Sequence, residues 1–208
     1  MKYRLVLSDV DSTLIEQEVI DLLAQRSGHG QEVAKITRAA MAGELDFQSA
    51  LIERVGCLKG ISLEVLKEVA SEIKLSAGAL ELRAFCREKG IAFGAVTGGF
   101  YQILNQIPFF CELDFLRANS LQVEAGHLTG QVEGNIVDQR AKAHFLAEFA
   151  EQRMVPMAAC VAIGDGANDL EMIKQAGLGI SFRGKEILNS AADISISESL
   201  AEVIPLLN

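Results

Sequence analysis

Short apolar runs bounded by turn-forming residues recur along the chain: Leu5–Leu7, Ile91–Val96, Cys160–Ile163, Leu178–Ile180 and Ile194–Ile196. Their length and near-continuous apolarity fit strands buried on both faces. Stretches of helical period lie between them. Leu66, Val69, Ala70 and Ile73 recur at i, i+3, i+4 and i+7. Leu82, Phe85 and Cys86 share a face that Gly90 ends. Ala141, Phe145 and Phe149 repeat every fourth residue behind Asp138, a good N-cap. Buried strands alternating with helices predict an α/β fold, a parallel sheet covered on both faces, with ligands beyond the carboxyl ends of its strands.

The alternation breaks twice. From Glu16 to about Ile73 the pattern is helical throughout, with breaks near Gly28-His29-Gly30, Gly43 and Gly56 to Gly60. A helical insertion directly after the first strand is expected to form a lid over that strand's end. The chain therefore divides into a core of residues 1–15 and 75–208 and a cap of residues 16–74. At Ala118–Asn135, Leu121–Val123 and Leu128–Val132 flank Glu124-Ala125-Gly126, which reads as a β-hairpin. A length of 208 residues suits one core domain with a smaller insertion.

Composition narrows the possible partners. Half the residues are hydrophobic, enough for a packed core, and 28 acidic side chains against 19 basic ones give a net charge of −9. That balance argues against a nucleic-acid partner, which needs a basic face, but leaves room for a small anion at a local cluster of cations. Nothing points to a protein partner. Cys57, Cys86, Cys111 and Cys160 form no C-x-x-C pair, so buried, reduced thiols in a cytoplasmic protein are expected. Asp9 interrupts the N-terminal apolar run before a signal segment could form. Gly90 to Cys111 carries no charge, but its paired glycines, three amide side chains and Pro108 favour a strand, a loop and a helix start over a membrane span.

Four segments carry candidate chemistry. Asp9-Val10-Asp11-Ser12-Thr13 follows strand one, and in extended chain Asp9 and Asp11 point the same way. Asp11, Ser12 or Thr13 could equally cap the next helix. A calcium loop of EF-hand type fails on spacing, since Leu14 stands at its sixth position and Ile20 at its twelfth. Thr97-Gly98-Gly99-Phe100, at another strand end, offers a hydroxyl and backbone amides open to an anion, although a plain Gly-Gly turn would read the same. Lys142 taken alone would read as a solvated helix charge, but its neighbours Ala141 and Ala143, with Phe145 following, point to the buried edge of the helix. Gly164-Asp165-Gly166-Ala167-Asn168-Asp169 is dense in oxygen ligands after an apolar strand, though Asp-Gly also marks turns.

In combination these segments aim carboxylates, a hydroxyl, free amides and a lysine at one rim. Carboxylates about 4 Å apart repel by roughly 4 kcal/mol at an effective dielectric of about 20, so they call for a cation. Oxygen donors without His or Cys favour Mg²⁺, and His29, His127 and His144 show no ligand spacing. The reaction that follows has Asp9 attack phosphorus and form an aspartyl-phosphate, with Asp11 as general acid, then base. Thr97 and the Gly98 amide hold phosphoryl oxygens and Lys142 balances charge.

These four segments, in this order, resemble the motif set of the haloacid dehalogenase superfamily of phosphotransferases. With Leu128-Thr129-Gly130 and Ala118-Asn119, nearly the whole chain is similar to the phosphoserine phosphatase family within it. The resemblance implies a Rossmann-like core with a helical cap inserted after strand one, and hydrolysis of O-phospho-L-serine, the last step of serine biosynthesis. It implies Mg²⁺ held by the Asp9 carboxylate, the Asp11 backbone carbonyl and Asp165. It also implies that Thr97, Gly98, Lys142 and Asn168 contact the phosphoryl group, with Asp169 a supporting ligand or orienter. In the lid, Glu18 would take the substrate ammonium, Arg54 its carboxylate, and Phe47 would help seal the site. Phe47, Leu51 and Arg54 share one face of a helix capped by Asp46. Taken singly, Arg54 could instead pair with Glu53 or Glu64, Glu18 could serve a helix dipole, and Phe47 could be plain cap core.

Thr97 stands where many members of that family have serine. Nothing before Leu5 matches the regulatory extension that some carry, so feedback through one is not expected. A capped phosphatase for another monoester, or transfer of the phosphoryl group to an acceptor alcohol such as homoserine, is the nearest alternative. A receiver-type signalling switch fits less well, because its two acids are adjacent and it has no lid.

Overall fold

The computed structural model describes residues 1–41 and 44–208. Gly43, one of the expected helix breaks, lies outside them. In chain order the elements are β1 (Leu5–Ser8), α1 (Val19–Ser27), α2 (Gly30–Met41), α3 (Phe47–Gly56), α4 (Leu63–Glu72), α5 (Ala79–Lys89), β2 (Ala92–Phe100), the short helices α6 (Tyr101–Leu104) and α7 (Pro108–Cys111), and β3 (Phe115–Glu124). There follow β4 (His127–Glu133), α8 (Gln139–Gln152), β5 (Cys160–Gly164), α9 (Leu170–Gln175), β6 (Leu178–Phe182), α10 (Glu186–Asn189) and β7 (Ile194–Ile196).

The described strands form one seven-stranded sheet in the order β4-β3-β2-β1-β5-β6-β7. All neighbours are parallel except β3 and β4, so the sheet is mixed. Alternation along β1 decides which side chain enters which core. Val6 joins Phe93, Val161 and Ile180 in the apolar cluster that also takes in side chains of α1, α4 and α5, whereas Leu5 and Leu7 join Phe149, Met172 and Leu188 on the opposite face. Every residue of β1 is buried, as a central parallel strand requires. The chain leaves β1 toward β2 on one side and β5 on the other, which makes the carboxyl ends of these strands the switch point where α/β sheets bind ligands.

Local chemistry sets the helix ends. Asp138 accepts a hydrogen bond from the Ala141 amide to cap α8, and Asp46 accepts from the Ser49 amide to cap α3. Gly90, at φ 67°, ends α5 in the left-handed conformation that suits glycine. The four helices α1–α4 fill the interval between β1 and α5, and Ser62 also bridges to His127 of β4, so this interval is not helical throughout.

Three further differences from the sequence reading concern β2, β3 and the cysteines. β2 does not stop before Thr97 but runs on to Phe100, its register against β3 shifting between Val96 and Phe100. The Thr97 hydroxyl accepts from the Gly99 amide there, which reshapes the strand locally. β3 begins at Phe115, and its first half is a parallel strand that no apolar run announces. Arg117 lies in it half-buried, its guanidinium 4.3 Å from the Phe115 ring centre and 2.7 Å from Glu148, so its stem and its pairing replace a hydrophobic side chain. Lastly, Cys86 and Cys160 are buried free thiols as expected, but Cys111 is exposed and Cys57 half-buried. No described helix is long and apolar enough to cross a membrane.

Candidate active site

Asp9 follows β1 directly, and its amide donates to the Ile163 carbonyl of β5 at 2.8 Å, so the sheet ladder carries the residue to the switch point. Its side chain is almost fully buried, and Oδ1 accepts from Lys142 Nζ at 2.6 Å. Lys142, wholly buried on α8, also donates to Asp169 Oδ1 at 2.7 Å. Burial alone would lower the lysine pKa, but the carboxylates of Asp169 and Asp9 outweigh it and raise it, so the ammonium stays charged. Burial, then the charge of Asp169, pushes the Asp9 carboxyl well above the usual range, with Lys142 opposing.

Asp11 uses both its oxygens. Oδ1 accepts from the Val19 amide at 2.8 Å, and Oδ2 accepts from the Thr97 hydroxyl at 2.8 Å. Asp11 thus holds the start of α1 with one oxygen, as its capping reading expects, while Thr97 orients the other. Burial raises its pKa above the ordinary carboxylate value. Gly99 makes this contact possible, since a Cβ there would lie 2.7 Å from Asp11 Oδ2. Gly164 serves Asp169 in the same way, because a Cβ would come 2.5 Å from its carboxyl carbon.

One cavity of about 590 Å³ gathers Asp9, Asp11, Glu18, Phe47, Arg54, Thr97, Gly98, Asp165 and Asn168 on its wall. Lys142 reaches it from behind through Asp9. Helix α3 approaches the end of β2 closely here: a Cβ on Gly98 would stand 3.4 Å from the end of the Phe47 ring. Arg54 donates from Nε to the Ala50 carbonyl at 3.1 Å and forms no ion pair with Glu53, Glu64 or any other described residue. Burial lowers its pKa, while Glu18, Asp21 and Asp11 act to raise it. Glu18 accepts from the Ser12 hydroxyl at 2.8 Å. Solvent reaches Glu18 through the cavity, yet the surrounding protein, then the charge of Asp11, raises its pKa to about 7.

The donor set suits a hard divalent cation. Asp9, Asp165 and Asp169 each place an oxygen within 4.8 Å of the others. Lys142 balances only one of these three charges. Asp169 is committed elsewhere, since Oδ1 takes Lys142 and Oδ2 takes the amides of Asp165 and Gly166 at 3.1 Å. The Asp165 carboxylate and Asp9 Oδ2 accept no hydrogen bond from any described residue, and burial, then Asp169, raises the Asp165 pKa to about 6. Oxygens crowded together and left unpartnered are what Mg²⁺ or a similar ion satisfies.

Several contributors carry no role in the sequence reading. Asn119, buried in β3, donates to the Gly98 carbonyl and accepts from the Val137 amide, both at 2.8 Å, and so ties the Thr97 segment to the approach of α8. Asp21 lies on the cavity wall one turn after Glu18, a spacing that could have exposed it. Lys185 also reaches the wall, from a loop with no periodic signal.

A central parallel strand that delivers a buried aspartate to the switch point, beneath helices inserted after that strand, defines a haloacid dehalogenase-like hydrolase. The family model of that description matches residues 6–174, and the chain belongs to this family, within it to the phosphoserine phosphatases. A phosphoserine phosphatase of Streptococcus thermophilus is 43% identical over 205 residues, covering 98% of this chain and 95% of that protein. One from Archaeoglobus fulgidus is 45% identical over 207 residues, 98% of this chain and 60% of its own length. One from Streptomyces coelicolor is 44% identical over 201 residues, 97% of this chain and 49% of its own. The chain thus spans about half to three-fifths of the length of these last two relatives. Among solved structures, a substrate-bound phosphoserine phosphatase complex superposes with a TM-score of 0.92 at 38% identity over the whole of both chains. A phospho-aspartyl intermediate analogue of phosphoserine phosphatase gives 0.91 at 39%, again over both whole chains.

Proposed function

We propose that the chain is a Mg²⁺-dependent phosphatase that hydrolyses O-phospho-L-serine to L-serine and phosphate through an aspartyl-phosphate, in the cytoplasm, as the last step of serine biosynthesis. The observation that carries this reading is Asp9: a carboxylate buried beyond β1, one oxygen held by Lys142 and the other unpartnered on the cavity wall. The likeness to a substrate-bound complex and to a phospho-aspartyl analogue supports it.

The Asp9 oxygen forms a bond to phosphorus as the bond from phosphorus to the serine oxygen breaks, and Asp11 gives its proton to the departing alkoxide. In the second half, Asp11 takes a proton from water, the resulting hydroxide attacks phosphorus, and the Asp9 carboxylate leaves, releasing phosphate. Thr97 donates to Asp11 while accepting from the Gly99 amide. With substrate bound the Thr97 hydroxyl turns to a phosphoryl oxygen, which leaves Asp11 Oδ2 free to carry the proton that it gives to the leaving oxygen. The Gly98 amide and Asn168 hold the remaining oxygens, while Lys142, behind the wall, balances charge through Asp9. The Asp9 and Asp165 carboxylates and the Asp11 carbonyl would hold Mg²⁺, which when bound neutralises charge between the phosphate dianion and the acidic floor. Residues 16–74 act as the lid, where Glu18 takes the substrate ammonium, Arg54 its carboxylate, and Phe47 closes the gap against Gly98.

The direct test is phosphate release, with and without Mg²⁺, from phosphoserine, phosphothreonine, sugar phosphates and nucleotides. Phosphoserine should give the highest kcat/KM and EDTA should abolish it; faster turnover of another monoester would redirect the assignment. Arg54→Ala should raise KM for phosphoserine about ten- to a hundredfold, the loss of a charge-assisted contact, while barely changing that for p-nitrophenyl phosphate. Equal effects on both would remove Arg54 from substrate recognition.

Glu18 sets a pH dependence. Its carboxyl, with a pKa of about 7, is protonated below that pH and cannot pair with an ammonium. KM for phosphoserine should therefore fall as pH rises through about 7. Monoester phosphates titrate near pH 6 themselves, so p-nitrophenyl phosphate provides the baseline to subtract. Glu18→Gln should abolish the difference between the two substrates; if it persists, another group is responsible.

A further inference from the structure

We propose that Lys185 is a second phosphate-binding cation of this site, capturing the dianion of the incoming substrate and of the phosphate product on the core side of the cavity. The inference rests on the phosphatase reading above.

The cavity wall is acidic. Asp9, Asp11, Glu18, Asp21 and Asp165 line it, and only Arg54 and Lys185 among the lining residues carry positive charge. Arg54 belongs to the cap helix α3. Lys142 is already shared between Asp9 and Asp169 behind the wall. A phosphate dianion approaching the carboxyl ends of the strands therefore meets one lining cation on the core, and that cation forms no ion pair with any described residue.

The backbone around Lys185 is built to hold it there. Its amide donates to the Asp165 carbonyl at 2.9 Å, which joins it to the loop bearing the candidate metal ligand. Its carbonyl accepts from the amides of Leu188 at 2.9 Å and Asn189 at 3.0 Å. The Asn189 side chain donates to the Gly184 carbonyl at 2.8 Å and accepts from the Ser181 hydroxyl at 2.6 Å, which ties the loop back to β6. The lysine charge is felt in the site, where it opposes the rise in the Asp165 pKa. The exposed side chain is thus free to turn toward an anion while its Cα is fixed.

The test uses inorganic phosphate as the probe, by calorimetry on the Mg²⁺-loaded protein, alongside KM and kcat for phosphoserine. Lys185→Met should weaken phosphate binding and raise KM about tenfold at low ionic strength, as expected for one charge acting on a dianion through water. The deficit should shrink at physiological salt and above, where the screening length falls to about 8 Å or less. Lys185→Arg should restore most of the affinity, with melting temperature unchanged in both variants. Unchanged phosphate affinity and KM in Lys185→Met at low salt would overturn the proposal. So would a Lys185→Arg protein as defective as Lys185→Met with no salt dependence, which would mark a structural role. Phosphate affinity is read without turnover, so a wrong choice of phosphoserine as substrate would leave this result standing and show itself only in the substrate panel.

Discussion

Asp9→Asn is expected to abolish phosphate release, by a factor on the order of 10⁴ or more, in a protein that stays folded. The amide keeps the shape of the carboxylate and can still accept from Lys142 Nζ, so the buried contact at 2.6 Å survives the change. What is lost is the anionic oxygen that is proposed to bond to phosphorus. The substitution also removes one of the three clustered carboxylates, which relieves repulsion in the metal-free state. Turnover measured beside a thermal melt checks both halves: activity should vanish while the melting temperature stays within a few degrees of wild type. Near-normal activity would take the nucleophile away from Asp9.

Lys142→Met should have the largest effect on stability. The lysine is wholly buried and is the only described cation in contact with Asp9 and Asp169. Its removal leaves two buried carboxylates facing each other without compensation, a change that costs about 3–5 kcal/mol. Urea unfolding of the metal-free protein should show that loss, and turnover should disappear with it. Adding Asp169→Asn should recover part of the stability, because the second substitution removes one of the stranded charges. A loss below about 1 kcal/mol, in the range of a solvent-exposed pair, would mean that the ion pair is not the buried structural link described above.

The parts of the site most legible in the sequence are those in which strand geometry itself delivers the side chain. Asp9 and Asp11 follow a buried run, and Asp165 follows another, so the ends of β1 and β5 announce them. Lys142 gave little signal alone, since nothing in an isolated helix says that an ammonium between two alanines will be fully buried; Asp9 and Asp169 make that burial tolerable from 133 and 27 residues away. The amide clamp on Asp169 was hidden for the same reason, because it depends on the closing of the loop at Gly164–Gly166. The parallel half of β3 escaped because Arg117 substitutes a packed guanidinium for an aliphatic face. Lys185 and Asn119 act through tertiary placement, which periodicity does not encode.

The proposed chemistry requires that a phosphoryl group become covalently attached to the first aspartate of Asp-Val-Asp. Acid-quenching the Mg²⁺-loaded protein during turnover of phosphoserine, followed by peptide mass spectrometry, reads this directly. One added phosphoryl group is expected on Asp9, absent from the Asp9→Asn protein. Rapid substrate consumption with no such adduct, or with the adduct on another residue, would contradict it.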